Sequence, residues 1–279
     1  MKSATLMGIF RKPSGHVRTA ASVLLVAVAP AAFAQTQYSV TSLGSLGGAS
    51  AFGWGINNNG QVTGWSATGG SGAHAFLYSG GAMTDLGTLG GADSYAGGMN
   101  NNGQVVGASE YNGSINRHAF LYSGGTMTDL GTFGGAVSFA NAINDSGQVV
   151  GVATASDGTG YAFLYRDGTM SNLGSFTPHA INNSGQIVGE AYNNGTDTYH
   201  AFIYENGQML DLNNLIPAGS GLTLTDAEGI NDQGQIVANG NYGGQNQAFL
   251  LSPIPEPATG ALLAAFLAGW ALCRRRLGA

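Results

Sequence analysis

Cysteine is nearly missing from this 279-residue chain, and positive charge is nearly missing from its middle. The one cysteine, Cys273, lies in an apolar run near the C-terminus. The body is therefore expected to hold together by packing and strand pairing without disulfides. Between Gln35 and Ser252 the only basic side chains are Arg117 and Arg166, set against fourteen Asp and Glu. So acidic a body has no electrostatic footprint for phosphate backbones, which argues against nucleic acid as a partner. Also lacking are a nucleophile motif, a phosphate loop and a paired-histidine helix. No catalytic residue, no metal-ligand set and no cofactor is expected.

Glycine, by contrast, is abundant at 47 residues, and it recurs at fixed places. The phrase Ile143-Asn144-Asp145-Ser146-Gly147-Gln148-Val149-Val150-Gly151 has counterparts beginning at Ile56, Met99, Ile181 and Ile230. Counted on Gln61, Gln104, Gln148, Gln186 and Gln235, the period is about 43 residues, within the span of a four-stranded propeller blade. Each phrase reads as a hairpin. An apolar strand ends at Asn, a Gly supplies the positive φ of the turn, and a β-branched strand follows.

A third strand recurs as Ala-Phe-Leu-Tyr at Ala75, Ala119 and Ala162, with variants at Ala201 and Ala248. A fourth ends in Asp85-Leu86, Asp129-Leu130, Asn172-Leu173 and Asp211-Leu212. The fifth repeat has none, because Pro253 interrupts it. A matching segment, Tyr38 to Gly44, stands instead at the start of the array. The expectation is an all-β, five-bladed β-propeller over residues 35–252, closed by that N-terminal strand; an open β-solenoid is the alternative.

Both ends read as export segments. Residues 1–34 have a basic start, an apolar run from Ala20 to Ala29, and Ala32-Phe33-Ala34, so cleavage is expected between Ala34 and Gln35. Residues 253–279 begin with a stiff Pro253-Ile254-Pro255-Glu256-Pro257 spacer. An apolar run from Ala258 to Cys273 follows, then Arg274-Arg275-Arg276. The run is expected to be a transmembrane helix with the arginines as a cytoplasmic stop signal.

Two family resemblances follow. The Gly-Gln-Val-Val-Gly phrase with His74-Ala75-Phe76, His118-Ala119-Phe120 and His200-Ala201-Phe202 resembles the bacterial extracellular HAF repeats; Tyr161 and Gln247 depart from it. This resemblance implies an exported repeat domain and no known reaction. The tail resembles a PEP-CTERM sorting signal, with Pro255, Glu256 and Pro257 as its motif. That implies exosortase and the secretion machinery as partners, an inner-membrane stage before processing, and a Gram-negative surface or matrix as destination. Exopolysaccharide becomes the candidate ligand.

Residues that vary between repeats carry the candidate chemistry. Two places before the hairpin Ile stand Trp54, Gly97, Asn141, His179 and Glu228. Trp54, Asn141, His179 and Glu228 are expected at a channel mouth, offering an aromatic platform and hydrogen-bonding groups to sugars. Ordinary packing between blades is the competing reading. Trp65, Glu190 and Asn239 fall at a second variable position, and an acidic loop carrying Asp226 and Glu228 invites Ca²⁺, although the EF-hand spacing is absent. The periodic His and Asp of the third and fourth strands are expected to be structural. Binding is the leading function, and a polysaccharide-active hydrolase or lyase, drawing on Glu110, Glu190 or Glu228, is the alternative.

Overall fold

The computed structural model describes residues 38–254, and within them the repeats fold as five antiparallel sheets. The first contains β1 (Gly47–Ile56), β2 (Val62–Thr68), β3 (Ala73–Ser79) and β4 (Ala82–Asp85). The second contains β5 (Gly90–Met99), β6 (Val105–Tyr111), β7 (Arg117–Ser123) and β8 (Thr126–Gly131). The third contains β9 (Gly134–Ile143), β10 (Val149–Ala155), β11 (Gly160–Arg166) and β12 (Thr169–Gly174). The fourth contains β13 (Thr177–Ile181), β14 (Ile187–Asn193), β15 (Thr198–Glu205) and β16 (Gln208–Asp211). A short 3-10 turn, Leu212–Asn214, leads to the fifth sheet, β17 (Leu222–Ile230), β18 (Ile236–Tyr242) and β19 (Gln245–Leu251). Every sheet is a meander in chain order, giving a propeller-like array.

Glycine makes the inner hairpin possible at two places. At the turn, Gly60, Gly103, Gly147 and Gly185 have φ between 71° and 81°, a region where a Cβ is strained. One strand later, a Cβ on Gly64, Gly107, Gly151 or Gly189 would come within 1.9–2.0 Å of a first-strand carbonyl oxygen. A β-bulge in the first strand presses that carbonyl inward, so only Gly fits.

Asparagine then joins sheet to sheet. The Asn144 side-chain oxygen accepts from the amides of Ser146 and Gln148, and its Nδ2 donates to Gln148 Oε1 and across the seam to the Asn182 carbonyl. The same cross-seam bond runs from Asn57 to Asn100, from Asn100 to Asn144, and from Asn182 to Asn231, at 2.9–3.1 Å. The ends of all five first strands, Ile-Asn in four and Met99-Asn100 in the second, converge on one polar pocket of about 330 Å³.

The third-strand histidines clasp the fourth strand. Nδ1 of His74, His118 and His200 meets the carboxylates of Asp85, Asp129 and Asp211 at 2.9, 3.0 and 2.6 Å. Each carboxylate also accepts a backbone N–H two residues on, from Gly87, Gly131 and Asn213. Burial alone would raise the Asp211 pKa, but the hydrogen bonds from His200 and Asn213 outweigh it and hold it below the usual value. The expected structural role of these residues is what the geometry shows. Phe76, Phe120 and Phe202 beneath the clasps, and Phe163 in the third sheet, are the largest fully buried side chains among the described residues.

The expected closure is not there. The fifth sheet has three strands, and residues 38–45 lie in none. Ser42 and Gln247 replace the Asp and His that are paired in the first, second and fourth sheets, but the third sheet lacks that pair as well, with Tyr161 and Asn172, and keeps β12. What sets the fifth sheet apart is that the chain meets Pro253 after β19 and no contiguous fourth strand follows. Among the described residues, no Asn231 bond continues to Asn57, and Ile56 and Leu250 are 72% and 68% exposed at the two ends. The expected cleavage site, Pro255-Glu256-Pro257, the apolar helix and Arg274 to Arg276 lie outside the described residues. No described helix is long and apolar enough to cross a membrane.

Candidate functional site

The four variable residues singled out by the repeat pattern all lie on first strands, and the structure sorts them into different roles. Asn141, on β9, donates its Nδ2 to the Pro178 carbonyl at 2.7 Å and so ties the third sheet to the fourth. Trp54, on β1, is 66% exposed and offers an aromatic face at the start of the array. His179 on β13 and Glu228 on β17 are brought together across the seam between the fourth and fifth sheets.

Asp226 completes this last group. His179 Nδ1 lies 3.0 Å from Asp226 Oδ1 and 3.8 Å from Glu228 Oε2. One ligand atom from each of the three residues lies within 4.8 Å of the others, a spacing a single cation can bridge. Asn239 Nδ2 reaches Glu228 Oε1 at 3.4 Å, a marginal bond. A shared hydrogen bond with Asp226, burial, and the negative charge of Asp226 push the Glu228 pKa up, with Glu190 adding to the repulsion. Asp226 belongs to a strand, so the acidic loop expected from sequence is a rigid edge of β17.

A sequence signal for Asp226 existed. It occupies the repeat position of Phe52, Tyr95 and Phe139, so a charge replaces an aromatic ring. The same exchange occurs where Trp54 becomes Glu228, and at Trp65 a neutral Asn239 replaces the ring. The first repeat has Phe52, Trp54 and Trp65; the fifth has Asp226, Glu228 and Asn239. Phe52 stacks on Trp65 at 4.7 Å between ring centroids, and Trp65 meets Tyr95 of the second sheet edge-on at 5.8 Å. Arg117 lies 4.8 Å over the Tyr95 ring. One scaffold position is thus aromatic at one end of the array and ionisable at the other.

No family model matches the chain, and no curated relative does. Among solved structures it is similar to TolB from Acinetobacter baumannii, at 14% identity and a TM-score of 0.42, over 70% of this chain and 52% of that one. It therefore spans about half of TolB. It is also similar to an Aleuria aurantia lectin variant in complex with a fucose–GlcNAc disaccharide, at 18% identity and a TM-score of 0.38, over 74% of this chain and 75% of that one.

Proposed function

We propose that this chain is an exported binding protein of a Gram-negative envelope, sorted by exosortase, whose propeller-like array holds exopolysaccharide without cleaving it. The observation that carries the reading is the aromatic set on the first sheet. Phe52 and Trp54 are 52% and 66% exposed on a strand fixed by its neighbours, and Phe52 is stacked on Trp65. Such faces bury the apolar side of a sugar ring at little entropic cost, while nearby amides and hydroxyls bond its edge. Export and sorting rest on the two terminal segments, whose residue order matches a signal peptide and a PEP-CTERM tail.

The test is binding of the purified protein to exopolysaccharide from its host, followed by sizing of the recovered polymer. Binding with an intact polymer, weakened about tenfold by Trp54→Ala, is expected. No binding, or binding indifferent to both Trp54→Ala and Phe52→Ala, would sink the reading. Intact-mass analysis of the protein from its host tests export separately, with an N-terminus at Gln35 and a C-terminus near Pro255–Pro257 expected.

A hydrolase is the second reading, favoured by one observation. The Glu228 pKa is raised, as a proton donor's is, although Asp226, in hydrogen-bond contact with it, is nearer than the roughly 5–9.5 Å between the two carboxyls of a glycosidase. Shortened polymer, lost on Glu228→Gln, would establish it.

A further inference from the structure

We propose that His179, Asp226 and Glu228 form a binding site for a first-row divalent transition metal ion, which pins the fourth sheet to the fifth. The argument starts from an internal comparison. Four histidines in the described residues each meet an aspartate at 2.6–3.0 Å. Three of these pairs, at His74, His118 and His200, are ordinary hydrogen bonds. The fourth is not. His179 Nδ1 and Asp226 Oδ1 lie 3.0 Å apart but are misdirected for a hydrogen bond, and both atoms are buried with no hydrogen-bond partner. A buried donor or acceptor left unpaired is costly, so this pair of facing atoms calls for something between them.

A cation fits there by geometry and by charge. Two ligand atoms about 2.1 Å from one ion and at a right angle to each other are about 3.0 Å apart. That is the separation of His179 Nδ1 and Asp226 Oδ1, and Glu228 Oε2, at 3.8 Å from the same nitrogen, suits a wider angle at the same ion. Two carboxylates against each other, with Glu190 near, repel unless a proton or a cation intervenes. One imidazole with two carboxylates selects Zn²⁺ or Mn²⁺ over Ca²⁺ and Mg²⁺, which prefer oxygen alone. The Glu228 side chain is 54% exposed, so the outer side of the ion would stay open to water or to a ligand oxygen. An ion here would hold Glu228 as a ligand and keep it from acting as a proton donor.

The site stands apart from the sugar-binding reading, because metal uptake is measured with no polysaccharide present. The full chain, purified in detergent and stripped with EDTA, is titrated calorimetrically with Zn²⁺ and separately with Mn²⁺. Metal content after dialysis and the thermal midpoint are read alongside. One ion per chain and a midpoint that rises with the ion are expected. His179→Gln and Glu228→Gln should each weaken affinity about tenfold or more, whereas His200→Gln, outside the cluster, should leave it unchanged. Glu228 is exposed, so its variant should remain folded without metal and keep the test decisive. Co²⁺ substitution adds a second readout, visible absorption bands altered by His179→Gln. No uptake, uptake indifferent to both variants, or Ca²⁺ bound more tightly than Zn²⁺ with His179→Gln silent, would overturn the proposal.

Discussion

The third sheet and the fifth are built from the same repeat, yet one is sealed on both faces and the other is not. In the third, Val149, Val150, Ala162 and Phe163 are fully buried. In the fifth, the counterpart of Ala162 is Ala248, which is exposed, and Phe249 is only partly buried. Local sequence differs little at these positions. What differs is the neighbourhood: a fourth strand and a following sheet cover the third sheet, and neither covers the fifth. A residue's contribution in this array is therefore set by how many neighbours its sheet has, as in other repeat architectures.

The sharpest test of that contrast lies in the core phenylalanines. Phe163→Ala should cost about 3–5 kcal/mol, since it empties a closed site, whereas Phe249→Ala should cost about 2 kcal/mol or less. Denaturant melts of both variants check this, and equal losses would break the comparison. The asparagine latches come next. Asn144→Ala removes bonds inside its own hairpin and across a seam, leaving buried amides unpaired, at a cost of about 2–3 kcal/mol. Asn231→Ala removes only its hairpin bonds, at an exposed site, and should cost about 1 kcal/mol.

The ionisable groups give smaller effects of opposite sign. Asp211 has a folded pKa below its ordinary value of 3.8. Its contribution to stability is therefore fully present above that value and is lost as pH falls through the lower folded pKa. Asp211→Asn should lower the thermal midpoint at pH 7 and flatten its fall between pH 5 and 2. Glu228, raised above 4.5, works the other way. Its penalty grows as pH rises through the folded pKa, so Glu228→Gln without metal should match the parent at pH 3 and stabilise slightly at pH 8. The smallest effect expected is that of Gln247→His, within about 0.5 kcal/mol, because no fourth-strand carboxylate faces it. If Gln247→His becomes stabilising once paired with Ser42→Asp, a His–Asp bond is enough to bring the 38–45 segment onto β19.

Much of this was legible from the repeat. The glycine turns, the Asn-started hairpins, the third-strand phenylalanines and the structural role of the His–Asp pairs follow from spacing, because each satisfies a local backbone demand. The candidate site was half legible. His179 and Glu228 stand out as departures from the repeat, while Asn141, chosen on the same grounds, proves to be a seam bond. Asp226 was read as part of an acidic loop, although its position in the repeat belongs to a strand.

By itself the sequence determined the strands, their order and the chemistry of each turn, since those depend on residues a few places apart. The tertiary structure alone decided three things. It placed His179 against Asp226 and Glu228, 47 and 49 residues away in the chain, by setting adjacent first strands side by side. It separated the aromatic end of the array from the ionisable one. It also left the fifth sheet at three strands: the chain meets Pro253 after β19, and the separate segment 38–45 pairs with no strand.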